Sequence, residues 1–134
     1  MINLIKNKYR LDQNYFINRL KPVIQKLDIK GDISIKLGSE DESRDLNQKY
    51  LQKDYPTDVL SFPIQQQLPE GYYLGDIFIC MPIAREQAKK EKISLKNELL
   101  ILMIHGILHL AGYDHEGDNG EMFSLQDQII DEIK

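Results

Sequence analysis

From Leu95 to Leu110 the chain reads LKNELLILMIHGILHL, with apolar residues on nearly every side of a helical wheel. A helix of that kind has no face to give to water and has to be enclosed. Ser94 stands before it as a capping residue, with Asn97 three residues on and Glu98 after it. The rest of the chain must therefore supply a shell around this helix. Two residues break its apolar character near the far end, His105 and His109. They are four apart, so on a helix they stand one above the other on the same face.

Beyond the helix the sequence continues Leu110-Ala111-Gly112-Tyr113-Asp114-His115. Gly112 is suited to the left-handed conformation that ends a helix. A turn there lets His115 approach the helical pair from outside. These are all 3 histidines of the 134-residue chain. Two imidazoles on one helix face and a third after a glycine turn can meet one metal ion, at about 2.0–2.1 Å per Zn–N bond. Three protein ligands leave a coordination position for water or substrate, as in catalytic zinc sites. With no fourth His or Cys nearby, a catalytic ion is favoured over a structural one. Histidine-only ligation points to zinc first, with nickel as the other option.

The spacing H-x-x-x-H-x-x-G-x-x-H matches that of metzincin metalloproteases at every position but one. Those enzymes carry a glutamate general base directly after the first histidine. Here that residue is Gly106, which has no proton to give or take. The metal scaffold is present and the peptidase base is not. Asp114 lies next to a ligand and reads as a turn residue that orients a histidine, with a general base as the alternative. Ser61 and Asp58 either line the cleft or are strand residues bonded to backbone.

The shell can be read in order. Residues 1–4 form a short first strand. Asp12 caps a helix whose apolar face is Tyr15, Phe16, Leu20, Val23, Ile24 and Leu27. Pro22 inside it is expected to kink or divide it. Ile33-Ser34-Ile35-Lys36-Leu37 alternates as a strand with one buried face. Ser39 to Tyr50 is a helix with a capping box closed by Glu42, turning Leu46 and Tyr50 inward. Asp58 to Phe62 is a strand ended by Pro63, and residues 65–71 are a hairpin loop. Tyr72 to Cys80 is apolar enough for a central strand. Pro82 opens a helix through Ile83, Ala84 and Ala88. Residues 118–133 form a last amphipathic helix with Met122, Leu125, Ile129, Ile130 and Ile133 inward. The expected architecture is α+β: a small mixed sheet of about four strands packed with about five helices, the metal site at the end of the buried helix.

Length predicts one domain over residues 1–134. The 1 cysteine, Cys80, excludes an internal disulfide and fits a reducing compartment. It sits in the apolar run Ile77 to Met81 and reads as a small buried hydrophobe. No stretch approaches the roughly 18 apolar residues of a membrane span, and no signal-length apolar run stands at the N-terminus. A cytoplasmic protein without membrane contact is expected. Residues 1–36 carry eight Lys or Arg against three Asp, while residues 97–134 carry one Lys against eight acids. The basic part offers either a face for an anionic partner or a solvated helix surface. A pI near 5.4 speaks against a general nucleic-acid binder.

Three motifs now stand in order: Thr57-Asp-Val-Leu-Ser-Phe-Pro63, Leu74-Gly-Asp-Ile77, and His105-Gly-Ile-Leu-His-Leu-Ala-Gly-Tyr-Asp-His115. Together they resemble the YbeY family of bacterial rRNA maturation factors, over residues 41–128. The resemblance implies a single-strand-specific, metal-dependent endoribonuclease with one zinc ion on His105, His109 and His115. It implies action in 16S rRNA 3′-end maturation and ribosome quality control. Its partners would be single-stranded RNA, rRNA, and the ribosomal small subunit or its assembly factors, with no DNA. It implies the same mixed four-stranded sheet.

One position departs. After Leu46-Asn47-Gln48-Lys49-Tyr50 the family commonly carries an arginine implicated in activity, and this chain carries Leu51. A leucine cannot clamp a phosphate, and neither Lys49 nor Lys53 reproduces a guanidinium fork. An alternative function is thus a zinc-stabilised ribosome assembly or binding factor with little or no nuclease activity. A third, a metal-dependent peptidase or small-molecule hydrolase, has Gly106 against it.

Overall fold

The structure is a computed structural model that describes residues 1–5, 9–113 and 121–133. Among them the elements run β1 (Ile2–Ile5), α1 (Gln13–Lys26), β2 (Asp32–Gly38), α2 (Glu40–Leu51), β3 (Val59–Leu68), β4 (Gly71–Cys80), α3 (Met81–Glu91), α4 (Leu95–Leu110) and α5 (Glu121–Ile133). The strands form one mixed sheet in the order β1-β2-β4-β3. β1 and β4 both run parallel to β2, and β3 pairs antiparallel with β4. The α+β architecture expected from the sequence is the one observed.

Each face of the sheet is set by alternation along its strands. Ile33, Ile35, Ile77 and Ile79 point to one side and join Leu99, Met103, Ile104 and Ile107 of α4 in the main core. Leu60, Phe78 and Cys80 point to the other, where Leu46, Phe62 and Ile83 pack on them. β4, between two neighbours, is buried almost continuously from Leu74 to Cys80. Helix α4 buries residues all round, including Leu99, Leu100, Leu102, Met103, Ile104, Ile107 and Leu108. No single described helix is long and apolar enough to cross a membrane.

The caps fall where the sequence puts them. The Asp12 side chain accepts from the Tyr15 backbone N–H, and that of Ser94 from Asn97. Ser39 and Glu42 form a reciprocal capping box on α2. Gly112 adopts φ +100°, the left-handed region that its place after the helix requires. The last helix is described from Glu121; the remainder of the expected 118–133 span lies outside the described residues.

Three expectations are corrected. Helix α1 is not divided at Pro22, which lies inside its Gln13–Lys26 span. Pro22 and Asn18, four residues before it, are both exposed, so the carbonyl that loses its partner faces water. β3 does not stop at Pro63; it continues through residues 65–67 to Leu68. β3 is an edge strand, where proline is tolerated, and a register shift between Pro63 and Gln66 absorbs it, with Gln65 at φ +52°. The hairpin turn is only Pro69-Glu70.

Tyr50 is 52% exposed, not inward. Leu46 does pack inward, on the cluster of Leu60, Phe78 and Cys80, but the fully buried residues of α2 are polar, Ser43 and Asn47. The Ser43 hydroxyl donates to the Thr57 carbonyl and accepts from the Thr57 N–H, each at 2.9 Å. Asn47 Nδ2 donates to the Tyr55 carbonyl at 2.8 Å. These bonds hold the segment leading into β3 and give its backbone groups partners.

Glu98, in the first turn of α4, is 6% exposed. Burial pushes its carboxyl above the usual carboxylate range, and the charges of Asp58 and Glu91 add to the effect. The folded state therefore holds this proton to higher pH than the unfolded chain does. Its contribution to stability is present at pH below the ordinary glutamate value and is lost as pH rises through the raised one. Glu98→Gln is expected to stabilise the protein at pH 7 and to make little difference at pH 4. Urea denaturation at the two pH values checks this.

Candidate metal centre

The site is built on the exit of α4. His105 and His109 are half-buried on one face, with ring centroids 4.7 Å apart and planes at 67°. Their Nε2 atoms approach to 3.1 Å. Two nitrogens on one tetrahedral zinc lie about 3.3–3.4 Å apart, given bonds of roughly 2.0–2.1 Å. The pair is spaced as two ligands of one ion would be. On the far side of its ring, His105 Nδ1 lies 3.0 Å from Oε1 of Gln126 on α5. A metal-ligating histidine commonly offers its second nitrogen to such an acceptor. The donor set fits a borderline ion such as zinc. His115 and Asp114 lie outside the described residues, and among the described residues no three His, Cys, Asp or Glu side chains cluster as a metal would need.

Gly106 explains its own identity. It is one residue past His105, hence turned by about 100° round the helix. That direction is occupied by the sheet: a Cβ on Gly106 would lie 2.9–3.0 Å from the side chain of Ile77 on β4. The contact is reciprocated. A Cβ on Gly75 of β4 would lie 2.8 Å from Leu110 Cδ2 on α4 and 2.4 Å from the Phe62 carbonyl oxygen on β3. Two side chains, Ile77 and Leu110, thus enter spaces left by two glycines, and α4 is locked to β4 at the level of the histidines. Ser61 on β3 adds a hydrogen bond from its hydroxyl to the Gly106 carbonyl, at 3.3 Å. Ser61 is therefore brought to the histidine-bearing helix as a strut.

Asp58 takes the structural option. Its carboxylate accepts from the Val59 N–H at 2.8 Å and from Gln87 of α3 at 3.3 Å. In Leu74-Gly75-Asp76-Ile77, Gly75 and Ile77 are the two contacts to α4, and Asp76 accepts from the Tyr73 hydroxyl on the opposite face. Burial and the Asp76 charge raise the Tyr73 pKa. These two residues line a groove of about 650 Å³ with Lys36, Tyr50, Phe62 and Phe78. Leu51 ends α2 and is 49% exposed. Lys49 is near it, over the Tyr50 ring at 5.3 Å. Cys80 is fully buried, and burial pushes its thiol pKa up.

Three lysines of the basic N-terminal part are paired with carboxylates. Lys26 pairs with Glu132 at 2.9 Å, Lys30 with Asp28 at 3.0 Å and Lys36 with Glu42 at 3.1 Å. Arg19 stacks over Tyr15 at 3.6 Å. These residues form solvated, internally compensated surface. The residue that sequence reasoning missed is Gln126. Its signal was present: it is a polar residue between Met122 and Ile129 on the inward stripe of the last helix.

Gly106→Ala should cost about 1–3 kcal/mol, the usual cost of overpacking a close contact. Gly75→Ala should cost more, because a backbone carbonyl cannot swing aside as an isoleucine side chain can. Chemical denaturation of the two variants tests the ranking.

A family model described as Endoribonuclease YbeY matches residues 2–134. An Endoribonuclease YbeY of Persephonella marina is 38% identical over 140 residues, covering 100% of this chain and 92% of that protein. One from Nautilia profundicola is 40% identical over 124 residues, covering 92% of this chain and 87% of its own. The solution structure of a Thermotoga maritima protein superposes with a TM-score of 0.68 at 35% identity, covering 99% of this chain and 89% of the other.

Proposed function

This chain belongs to the Endoribonuclease YbeY family, and on that premise we propose that it is a cytoplasmic, metal-dependent endoribonuclease of a single domain that cuts single-stranded RNA. In this reading His105, His109 and His115 hold one zinc ion. The substrate is the 3′ end of small-subunit rRNA, and the work belongs to rRNA maturation and ribosome quality control. The partners are the small subunit or its assembly factors. The observation that carries the metal site is the 3.1 Å approach of the two Nε2 atoms on a helix that the sheet holds fixed.

The ion, when bound, would supply Lewis-acid chemistry, making a nearby water more acidic and offsetting charge that builds on a phosphate. The chain's part is to hold the ligands. α4 presents His105 and His109 on one face, Gly106 and Gly75 set the height of that face over β4, and Gln126 orients the His105 ring. No side chain is assigned as general base.

The test is cleavage of a labelled single-stranded RNA by zinc-loaded protein, beside a chelated sample and the variants His109→Ala and His115→Ala. Cleavage should fall to background in all three, and each variant should lose its zinc. Unchanged cleavage by zinc-free His109→Ala protein overturns the reading.

A second reading rests on Leu51, exposed at the end of α2 where the family commonly has an arginine. It keeps the zinc and makes the protein a ribosome assembly factor without nuclease chemistry. Zinc-loaded wild type that is inert on RNA, with cleavage created by Leu51→Arg, selects it.

A further inference from the structure

We propose that Gln126 is a positioning residue that fixes the tautomer of His105 so that its Nε2 lone pair is offered to a metal; the inference rests on the reading of His105 as a ligand. The Gln126 side chain reaches His105 Nδ1 with its oxygen, at 3.0 Å. An amide oxygen only accepts, so Nδ1 must carry the hydrogen of the neutral ring. The other nitrogen, Nε2, then holds a lone pair, and it is this atom that stands 3.1 Å from Nε2 of His109. The opposite tautomer would put a hydrogen where a metal has to bind.

The place of Gln126 in the fold calls for such a role. It is 8% exposed, on a stripe of α5 whose other members, Met122 and Ile129, are buried at 0% and 1%. An amide in that position loses water and needs a partner to offset the loss, whereas a leucine would need none. Its partner is the first of the two rings that α4 brings together. α5 is also the element that follows His115 in the chain, so the bond ties the last helix to the pair on α4.

The experiment reads the tautomer directly, by long-range ¹H–¹⁵N correlation on chelator-stripped protein at a pH above the imidazole range. Zinc affinity is measured alongside by competition with a chelating dye, for wild type, Gln126→Leu and Gln126→Glu. Wild type should show His105 with its hydrogen on Nδ1. Gln126→Leu should populate the Nε2–H form and weaken zinc binding by about 10–100-fold, the usual effect of removing a ligand's hydrogen-bond partner. Gln126→Glu, whose carboxylate also only accepts, should keep the Nδ1–H form and bind zinc at least as tightly as wild type.

A role in packing alone predicts otherwise: both variants weakened alike, since a buried charge packs no better than a leucine, and the tautomer unmoved in each. That outcome overturns the proposal, as does an Nε2–H ring in wild type, which is decisive even if the leucine variant does not fold. Wild type that binds no zinc, with the tautomer shifting as expected, overturns the zinc site and upholds the Gln126–His105 bond.

Discussion

The contact on which the rest depends is the exchange between β4 and α4, in which Ile77 fills the space at Gly106 and Leu110 fills the space at Gly75. Interiors pack at crystal-like density, so a helix resting on a sheet is usually held off by the side chains between them. Glycine on each partner removes that spacer at two points one helical turn apart. The helix then has one height and one rotation over the sheet. Rotation matters because α4 is apolar all round and has no amphipathic preference to orient it. Without the glycines, several faces could serve as the sheet-facing one, and the histidine pair would have no defined direction.

The regular elements were readable because each rests on local chemistry. Strict alternation marks Ile33 to Leu37, the capping box at Ser39 and the caps Asp12 and Ser94 mark helix starts, and an all-apolar stretch marks the buried helix. The histidine pair was readable for the same reason, since a spacing of four means adjacency on a helix wherever the helix lies. The errors fall where a neighbour decides. Pro63 ends a strand in isolation, yet on an edge strand with a register shift it does not. Pro22 breaks a helix only if the carbonyl it orphans has no water to turn to. Apolar periodicity points Leu46 and Tyr50 inward, yet only Leu46 packs on the sheet, and the buried positions of α2 go to Ser43 and Asn47, which bind the backbone at Thr57 and Tyr55.

Buried polar groups carry much of the specificity in this fold. Ser43 and Asn47 bind the segment entering β3, and Gln126 binds a histidine ring. Each satisfies a group that apolar packing could not. A sequence reader looking for hydrophobic stripes passes over all three as imperfections. Glu98 is of another kind. It is buried, and Asp58 and Glu91 add charge of the same sign, so it destabilises the folded chain near neutral pH, at the opposite end of α4 from the histidines.

The absence of a peptidase base after the first histidine can now be given a structural cause. In a chain with this histidine spacing, a glycine at residue 106 could be read as a catalytic residue lost from an otherwise complete site. The packing says otherwise. Residue 106 faces the sheet, within contact of Ile77, and its carbonyl is held by Ser61. A glutamate there would have to displace a core isoleucine and would point its carboxylate into the layer between helix and sheet, where an ionised group is expensive. The position after the first histidine is used for packing. A helix of this spacing held to a sheet in this way keeps its histidine pair on one face and gives the residue beside the first histidine to packing.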